Sequence, residues 1–132
     1  MRKSLVVVLL ACICLMYACS NGKTQSLEEF YKDADIENID KITIQDGSTG
    51  ASKTLTGSEQ IDEFIALIKD IEFSPQDNQE KRNGWRYGIT MFDGEKTFQF
   101  TLGEINDTYY DTSPDIQPIV DKYYKGLDIK EE

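Results

Sequence analysis

The apolar positions of this chain recur in two rhythms, and the switches between them lay out the elements. Ile61, Phe64, Ile65, Ile68 and Ile71 fall at i, i+3, i+4, i+7 and i+10, the spacing that lines one face of an α-helix. Glu59, Asp62, Glu63, Lys69 and Asp70 fill most of the remaining positions. An amphipathic helix over about residues 57–70 is therefore expected, with Leu67 at the edge of its stripe. Thr56-Gly57-Ser58-Glu59 spells a capping box ahead of it, and Ser26-Leu27-Glu28-Glu29 spells another before a short helix anchored by Phe30 and Tyr31. Ile116, Ile119, Val120, Tyr123 and Leu127 return to helical spacing after Ser113-Pro114-Asp115. Pro118 falls in the first turn of that helix, where backbone N–H groups lack partners anyway, and Gly126 marks its stop.

Between the helices the rhythm is two. Ile42 and Ile44 flank Thr43, Asp46 to Gly50 is a turn by composition, and Lys53 to Leu55 is the returning strand. Pro75 to Asn83 is a polar loop. Trp85, Tyr87, Ile89 and Met91 then alternate with Arg86, Gly88 and Thr90, which places the four large residues on one face of a strand. Asp93-Gly94 predicts a hairpin, with Phe98, Phe100 and Leu102 on the return. Gly103 and Asn106-Asp107 mark turns into segments around Ile105 and Thr108 to Tyr110. The expected fold is α+β: a β-hairpin, a helix, an antiparallel β-meander and a C-terminal helix packed on one sheet. One domain is expected over 39–127, preceded by a polar tether and short helix over 19–38 and followed by an acidic tail, 128–132.

The first eighteen residues follow another logic. Arg2 and Lys3 precede an apolar run from Leu5 to Met16, and Ala18 stands directly before Cys19. A basic start, a short apolar stretch and a small residue at the cut make a secretory signal peptide. The stretch is short for a permanent span, which needs about 20 residues. Leu15-Met16-Tyr17-Ala18-Cys19 resembles the lipobox of bacterial lipoproteins, which implies a diacylglyceryl group on Cys19 and a membrane anchor there. Leu9-Leu10-Ala11-Cys12 is a rival, but it leaves only Leu5 to Leu10 ahead of Ala11 as an apolar region. Cys14 follows Ile13, a poor cleavage residue. Cys19 also stands where the polar segment SNGKTQS begins. The alternative is an uncleaved anchor in which the three cysteines are apolar filler.

Composition narrows the chemistry. All three cysteines lie within residues 12–19 and there is no histidine. The domain must fold without disulfides, and thiol catalysis, imidazole bases and the commonest transition-metal ligands are excluded; no cofactor is expected. Removing residues 1–18 leaves 12 basic against 24 acidic residues, a net charge of −12. That balance keeps an exported domain soluble, argues against nucleic acid as a ligand and favours a cationic peptide or protein as partner. Asp33-Ala34-Asp35-Ile36-Glu37 has the alternate oxygens of a calcium loop, but Asn38 and Ile44 stand where the EF-hand needs Gly and Glu. The run is an acidic connector.

Lys81, Arg82 and Arg86 flank Trp85 in an otherwise acidic domain. Arg82, Trp85 and Arg86 form the candidate ligand surface, suited to an anionic or sugar ligand through stacking and bidentate contacts; the competing assignment makes Trp85 a core residue that opens its strand. Tyr109-Tyr110 and Tyr123-Tyr124 each place one ring inward and one outward. The T-x-x-E helix start, the polar loop, the stretch from Gly84-Trp85 to Asp93-Gly94 and the late Tyr-Tyr pair resemble a set of small uncharacterised lipoproteins of Gram-positive bacteria. The resemblance implies location and fold, not activity. The expectation is a non-catalytic binding module outside the membrane. The alternatives are an immunity or inhibitor lipoprotein acting on a cationic peptide or basic cell-wall enzyme, and a carboxylate-based envelope hydrolase, which needs two converging carboxylates.

Replacing Cys19 with Ala is expected to abolish incorporation of labelled palmitate. Labelling that survives in Cys19→Ala but vanishes in Cys12→Ala would move the anchor.

Overall fold

The protein is described by a computed structural model over residues 23–132, so the expected signal peptide and the expected lipid site at Cys19 lie outside the described residues. The strands are β1 (Gln25–Ser26), β2 (Lys41–Asp46), β3 (Ser52–Leu55), β4 (Glu72–Pro75), β5 (Tyr87–Asp93), β6 (Lys96–Thr101), β7 (Glu104–Ile105) and β8 (Thr108–Ser113). They form one antiparallel sheet in the order β1-β4-β8-β7-β6-β5-β2-β3. The helices are α1 (Leu27–Asp33), α2 (Ser58–Ile68) and α3 (Ile116–Gly126). The α+β arrangement expected from the sequence, with the C-terminal helix packed against the sheet, is the one observed.

Register explains which face is buried. Ile42 pairs with Leu55 on one side and Met91 on the other, and Met91 with Phe98; Ile44 pairs with Ile89, and Ile89 with Phe100. All seven are buried and join Ile61, Phe64 and Ile68 of α2 and Val120 and Tyr124 of α3 in one core. The intervening residues point away from the helices. Thr54, Thr43, Thr90 and Gln99 form one such row across four strands, and the hydroxyls of Thr43 and Thr54 lie 3.2 Å apart.

Turn chemistry follows the sequence closely. Asp93 pairs with Lys96 around Gly94, whose φ is +61°. Between β7 and β8, Asn106 and Asp107 take φ of +51° and +65°, the consecutive positive values that a type I′ hairpin demands. The box at α1 is complete: Glu29 N–H donates to Ser26 Oγ and Ser26 N–H donates to Glu29 Oε1. The box at α2 is not. Its N-cap is Gly57, which has no side chain to offer, and Thr56 stands one residue too early.

Two strands, β1 and β4, escape the apolar pattern. β4 follows α2 directly and pairs with both β1 and β8, yet only Phe73 of its four residues is buried. Phe73, Phe30 of α1 and Tyr110 of β8 meet as three rings, edge to face, with centroids 5.4–6.0 Å apart. Leu27, Phe30 and Tyr31 thus share the common core. At the other end, Glu132 and Ser52 exchange backbone hydrogen bonds of 2.9 and 3.2 Å, and Tyr124 Oη donates to Glu131 at 2.8 Å. The acidic tail therefore lies along the edge of β3, where it covers N–H and C=O groups that an edge strand otherwise presents to other chains.

Lys53 is buried on the helix side of β3. Its Nζ donates to the carbonyls of Tyr124 and Leu127, both at 2.8 Å, and lies 4.6 Å from the Tyr124 ring centroid. A buried ammonium is costly unless paired or hydrogen-bonded. Here it satisfies carbonyls at the C-terminal end of α3, where a positive charge is also favoured by the helix dipole.

Ile68→Ala is expected to destabilise the fold by about 2–5 kcal/mol, a large part of the roughly 5–15 kcal/mol available to such a domain. Glu63→Ala, on the exposed face of α2, should leave the thermal midpoint almost unchanged. Equal shifts in melting experiments would overturn the assignment of the helix faces.

Candidate functional site

Tyr109 organises the loop between β4 and β5. Its N–H donates to Gln79 Oε1 at 2.8 Å and its carbonyl accepts from Gln79 Nε2 at 2.9 Å. One side-chain amide thereby serves this residue as a neighbouring strand would. The carbonyl also accepts from Gln76 N–H at 2.9 Å. Arg82 N–H donates to Tyr109 Oη at 2.8 Å, and the Arg82 guanidinium lies over the phenol ring, 4.5 Å from its centroid. The stretch expected to be an unconstrained polar loop is pinned to the sheet by polar side chains.

Trp85 corrects the strand assignment. β5 begins at Tyr87, and while Tyr87, Ile89 and Met91 are fully buried, Trp85 is 44% exposed. The chain reverses its facing before the strand starts. The indole lies instead against Gly47 and Gly88. A Cβ at Gly47 would collide with the ring, and one at Gly88 would sit 3.3 Å from Trp85 Cζ3. Gly88 pairs with Gln45 and Thr101, so the ring rests on the sheet face turned away from the helices.

Arg86 is committed. Its Nη1 donates to Asp46 Oδ1 and, at 3.1 Å, to Ser48 Oγ; its Nη2 donates to Asp121 Oδ1 at 3.2 Å. The guanidinium also lies 4.5 Å from the centroid of the Tyr87 ring. One arginine therefore ties the β2–β3 turn, the start of β5 and the middle of α3 together. Tyr87 Oη donates to Asp121 at 2.7 Å, and Lys125 pairs with the other oxygen of Asp121 at 3.0 Å. Arg82, by contrast, donates from Nη2 to the carbonyl of Asn78 at 2.8 Å and has no carboxylate partner among the described residues.

These contacts have electrostatic consequences. Hydrogen bonds from Ser48, with Arg86 beside them, hold the Asp46 carboxyl below its ordinary range. The hydroxyl of Tyr87 and the ammonium of Lys125 do the same for Asp121. Burial first, then the bond to Asp121, pushes the Tyr87 phenol up to about 12.

Arg82, Trp85 and Arg86 line one cleft of about 580 Å³, together with Gln76, Tyr109 and Gln117. The three residues singled out from the sequence thus lie together. Nothing near Arg86 in the chain signals that it is occupied, because Asp46 and Asp121 lie 40 and 35 positions away. Tyr109 and Gln79 also had no local signal. Three carboxylates border the cleft: Asp115 caps α3 by accepting from Gln117 N–H at 3.1 Å, Asp111 accepts from Gln76 at 3.0 Å, and Glu104 follows the turn at Gly103. Neither outward tyrosine is free. Tyr110 packs on Phe30 and Phe73, and Tyr123 on Phe64 with centroids 4.8 Å apart.

Among the described residues no helix is long and apolar enough to cross a membrane, and no group of three or more acidic side chains is placed to hold a metal ion. No protein-family model matches the chain, no curated protein is detectably similar in sequence, and no solved structure matches its fold.

A carboxylate whose folded pKa is depressed stabilises the fold above its unfolded value of about 3.9 and loses that contribution as pH falls through the folded value. Denaturant midpoints should therefore drop from about pH 5 downward. Asp46→Asn is expected to be less stable than the parent at neutral pH and to show a shallower acid decline. An acid limb identical to the parent's would remove Asp46 from this role.

Proposed function

We propose that the protein is a non-catalytic binding module, held at the outer face of the membrane through a lipid on Cys19, whose cleft takes an oxyanion-bearing sugar. One observation carries the reading: Trp85, 44% exposed, stands at a cleft whose second cation, Arg82, has no carboxylate partner among the described residues. An exposed indole offers a flat apolar surface to the C–H face of a sugar ring. A guanidinium stacked on Tyr109 has lost rotational freedom and keeps nitrogens for a carboxylate or phosphate. Gln76 and Gln117 add amides that donate and accept. Arg86 enters as a positioning residue, holding the start of β5 through Asp46 and Asp121. Binding without chemistry accords with the absence of histidine and with Asp111 and Asp115 being engaged in hydrogen bonds.

A second reading draws on the acidic balance. The groove between α2 and α3 carries Leu67, 46% exposed, beside Ile119 and Tyr123, with Glu63 at its rim. Glu63 is matched by Lys122 on the same lining, so the groove offers an amphipathic peptide apolar contact. The preference for a basic one, as an immunity or inhibitor function requires, rests on the net charge of the whole chain.

Trp85 is the chain's one tryptophan, so its emission reports directly on the cleft. Titration with a glucuronate oligosaccharide and with glucose phosphate is expected to give a saturable change with at least one of them. Arg82→Gln should weaken it on the order of tenfold with an unchanged melting curve. If neither compound perturbs the emission, or if Arg82→Gln binds as the parent does, the cleft is not an oxyanion site.

A further inference from the structure

We infer that the sheet face turned away from the helices is a docking platform for an uncharged polysaccharide, a ligand class distinct from that of the oxyanion cleft, which it adjoins at Trp85 and Thr101. Charge gives the first argument. The chain has 24 acidic residues, yet the outward positions of β3, β2, β5 and β6 hold no carboxylate and one cation, Lys41. Lys41 itself lies with its Nζ 4.2 Å from the centroid of the Phe92 ring. Carboxylates stand only at its margins, Glu104 beside Thr101 and Glu132 beside Ser52. A cationic partner would therefore meet no opposite charge within the four strands, and an anionic one would meet a single lysine already placed on an aromatic ring.

The side chains that do stand there supply hydroxyls and amides. Thr54, Thr43, Thr90 and Gln99 run as one row across the four strands, and Ser52, Gln45 and Thr101 form much of the next. Each of these groups both donates and accepts, which matches the hydroxyls of a sugar and leaves a charged or purely apolar partner poorly served. At adjacent strands about 4.8 Å apart, the Thr54-to-Gln99 row spans about 14 Å. Trp85 and Phe92 flank the area in the other direction. The indole rests over Gly88, four residues from Phe92, which is about 13 Å along a strand. That area accommodates two or three pyranose rings, with the Trp85 indole at one end to stack on and the Lys41–Phe92 pair at the other.

The paired glycines give the second, independent argument. Gly47 and Gly88 leave the notch in which the indole lies flat on the sheet. With the ring seated there, one of its faces rests on backbone and part of it stays in water. A tryptophan needed only for core packing would be buried among the helices, as Tyr87 two residues later is.

Native electrophoresis through gels containing hydroxyethyl cellulose, laminarin or glycol chitin, all uncharged, tests this. Retardation by at least one polymer is expected. Trp85→Ala and the pair Thr90→Ala with Gln99→Ala should each weaken it on the order of tenfold, and Arg82→Gln should leave it unchanged. Loss of binding in Arg82→Gln would merge this surface with the cleft and overturn its separate standing. No retardation on any polymer, or retardation that survives both face variants, would also overturn it. So would a dimer in sedimentation that the Thr90/Gln99 pair dissolves, since a second copy would then own the face. Should Trp85→Ala melt early, the Thr90/Gln99 pair and the Trp85 emission of the unaltered chain, titrated with soluble laminarin, carry the same decision.

Discussion

Ile42, Ile44, Ile89 and Met91 meet across β2 and β5, and a slip of one residue in that pairing would turn one strand's pair of them into water. The same slip would bring Thr43 or Thr90 into the core without a partner. In a sheet with one covered face this alternation holds the register, and the rest of the fold is placed relative to it. Leu55 and Lys53 follow on β3, Phe98 and Phe100 on β6, and α2 and α3 lie where those side chains need cover. The described domain contains no cysteine, so no crosslink duplicates this constraint.

Two buried or half-buried cations then tie elements that the apolar core alone leaves loosely joined. Lys53 reaches from β3 to the last carbonyls of α3. Arg86 reaches from the start of β5 to Asp46 in the β2–β3 turn and to Asp121 on α3. Each holds α3 near one of its ends or its middle, so the helix is fixed along its length. Buried ion pairs contribute less to stability than their Coulomb attraction suggests, because desolvation opposes it. What they supply here is orientation. Truncating either one would leave acceptors or carboxylates without their donors, which is costlier than the pair is worth.

The sequence was legible where a single element decides its own form. The stripe on α2, the Asp93-Gly94 hairpin and the Asn106-Asp107 turn depend on residues within a few positions, and each formed as expected. It was not legible where a distant partner decides. β4 has one buried side chain and exists because β8 offers it a ladder. Gln79 serves as a strand substitute only because the β4–β8 ladder ends at Tyr110, leaving Tyr109 without a strand partner on that side. The misplacement of Trp85 has a different origin. Alternation from 85 to 91 was real, but the strand that would use it begins at 87, and the two glycines that receive the indole sit 38 residues behind it and three ahead, at Gly47 and Gly88. The capping box at Thr56 failed for a local reason, since the helix started one residue late.

The distribution of charge connects these points to function. An acidic chain that must stay in solution can place its carboxylates anywhere exposed, and this one crowds them onto helices, turns and strand ends while keeping four adjacent strands free of them on their outer side. Solubility alone gives no reason for that gap, because Thr and Gln serve it less well than Asp and Glu. Strand propensity accounts for the threonines, but not for the glutamines, nor for a large aromatic ring set flat on a glycine notch at the margin of the gap. A surface that excludes charge, offers hydroxyls and amides in register and ends on an exposed indole is better explained by what it touches than by what it holds together. Its neighbour across Trp85, the cleft with Arg82, is by contrast charged, with two arginines and three carboxylates along its lining. The indole thus stands between a surface without charge and a cleft lined by charges of both signs, and its seat depends on Gly47 and Gly88 lacking side chains.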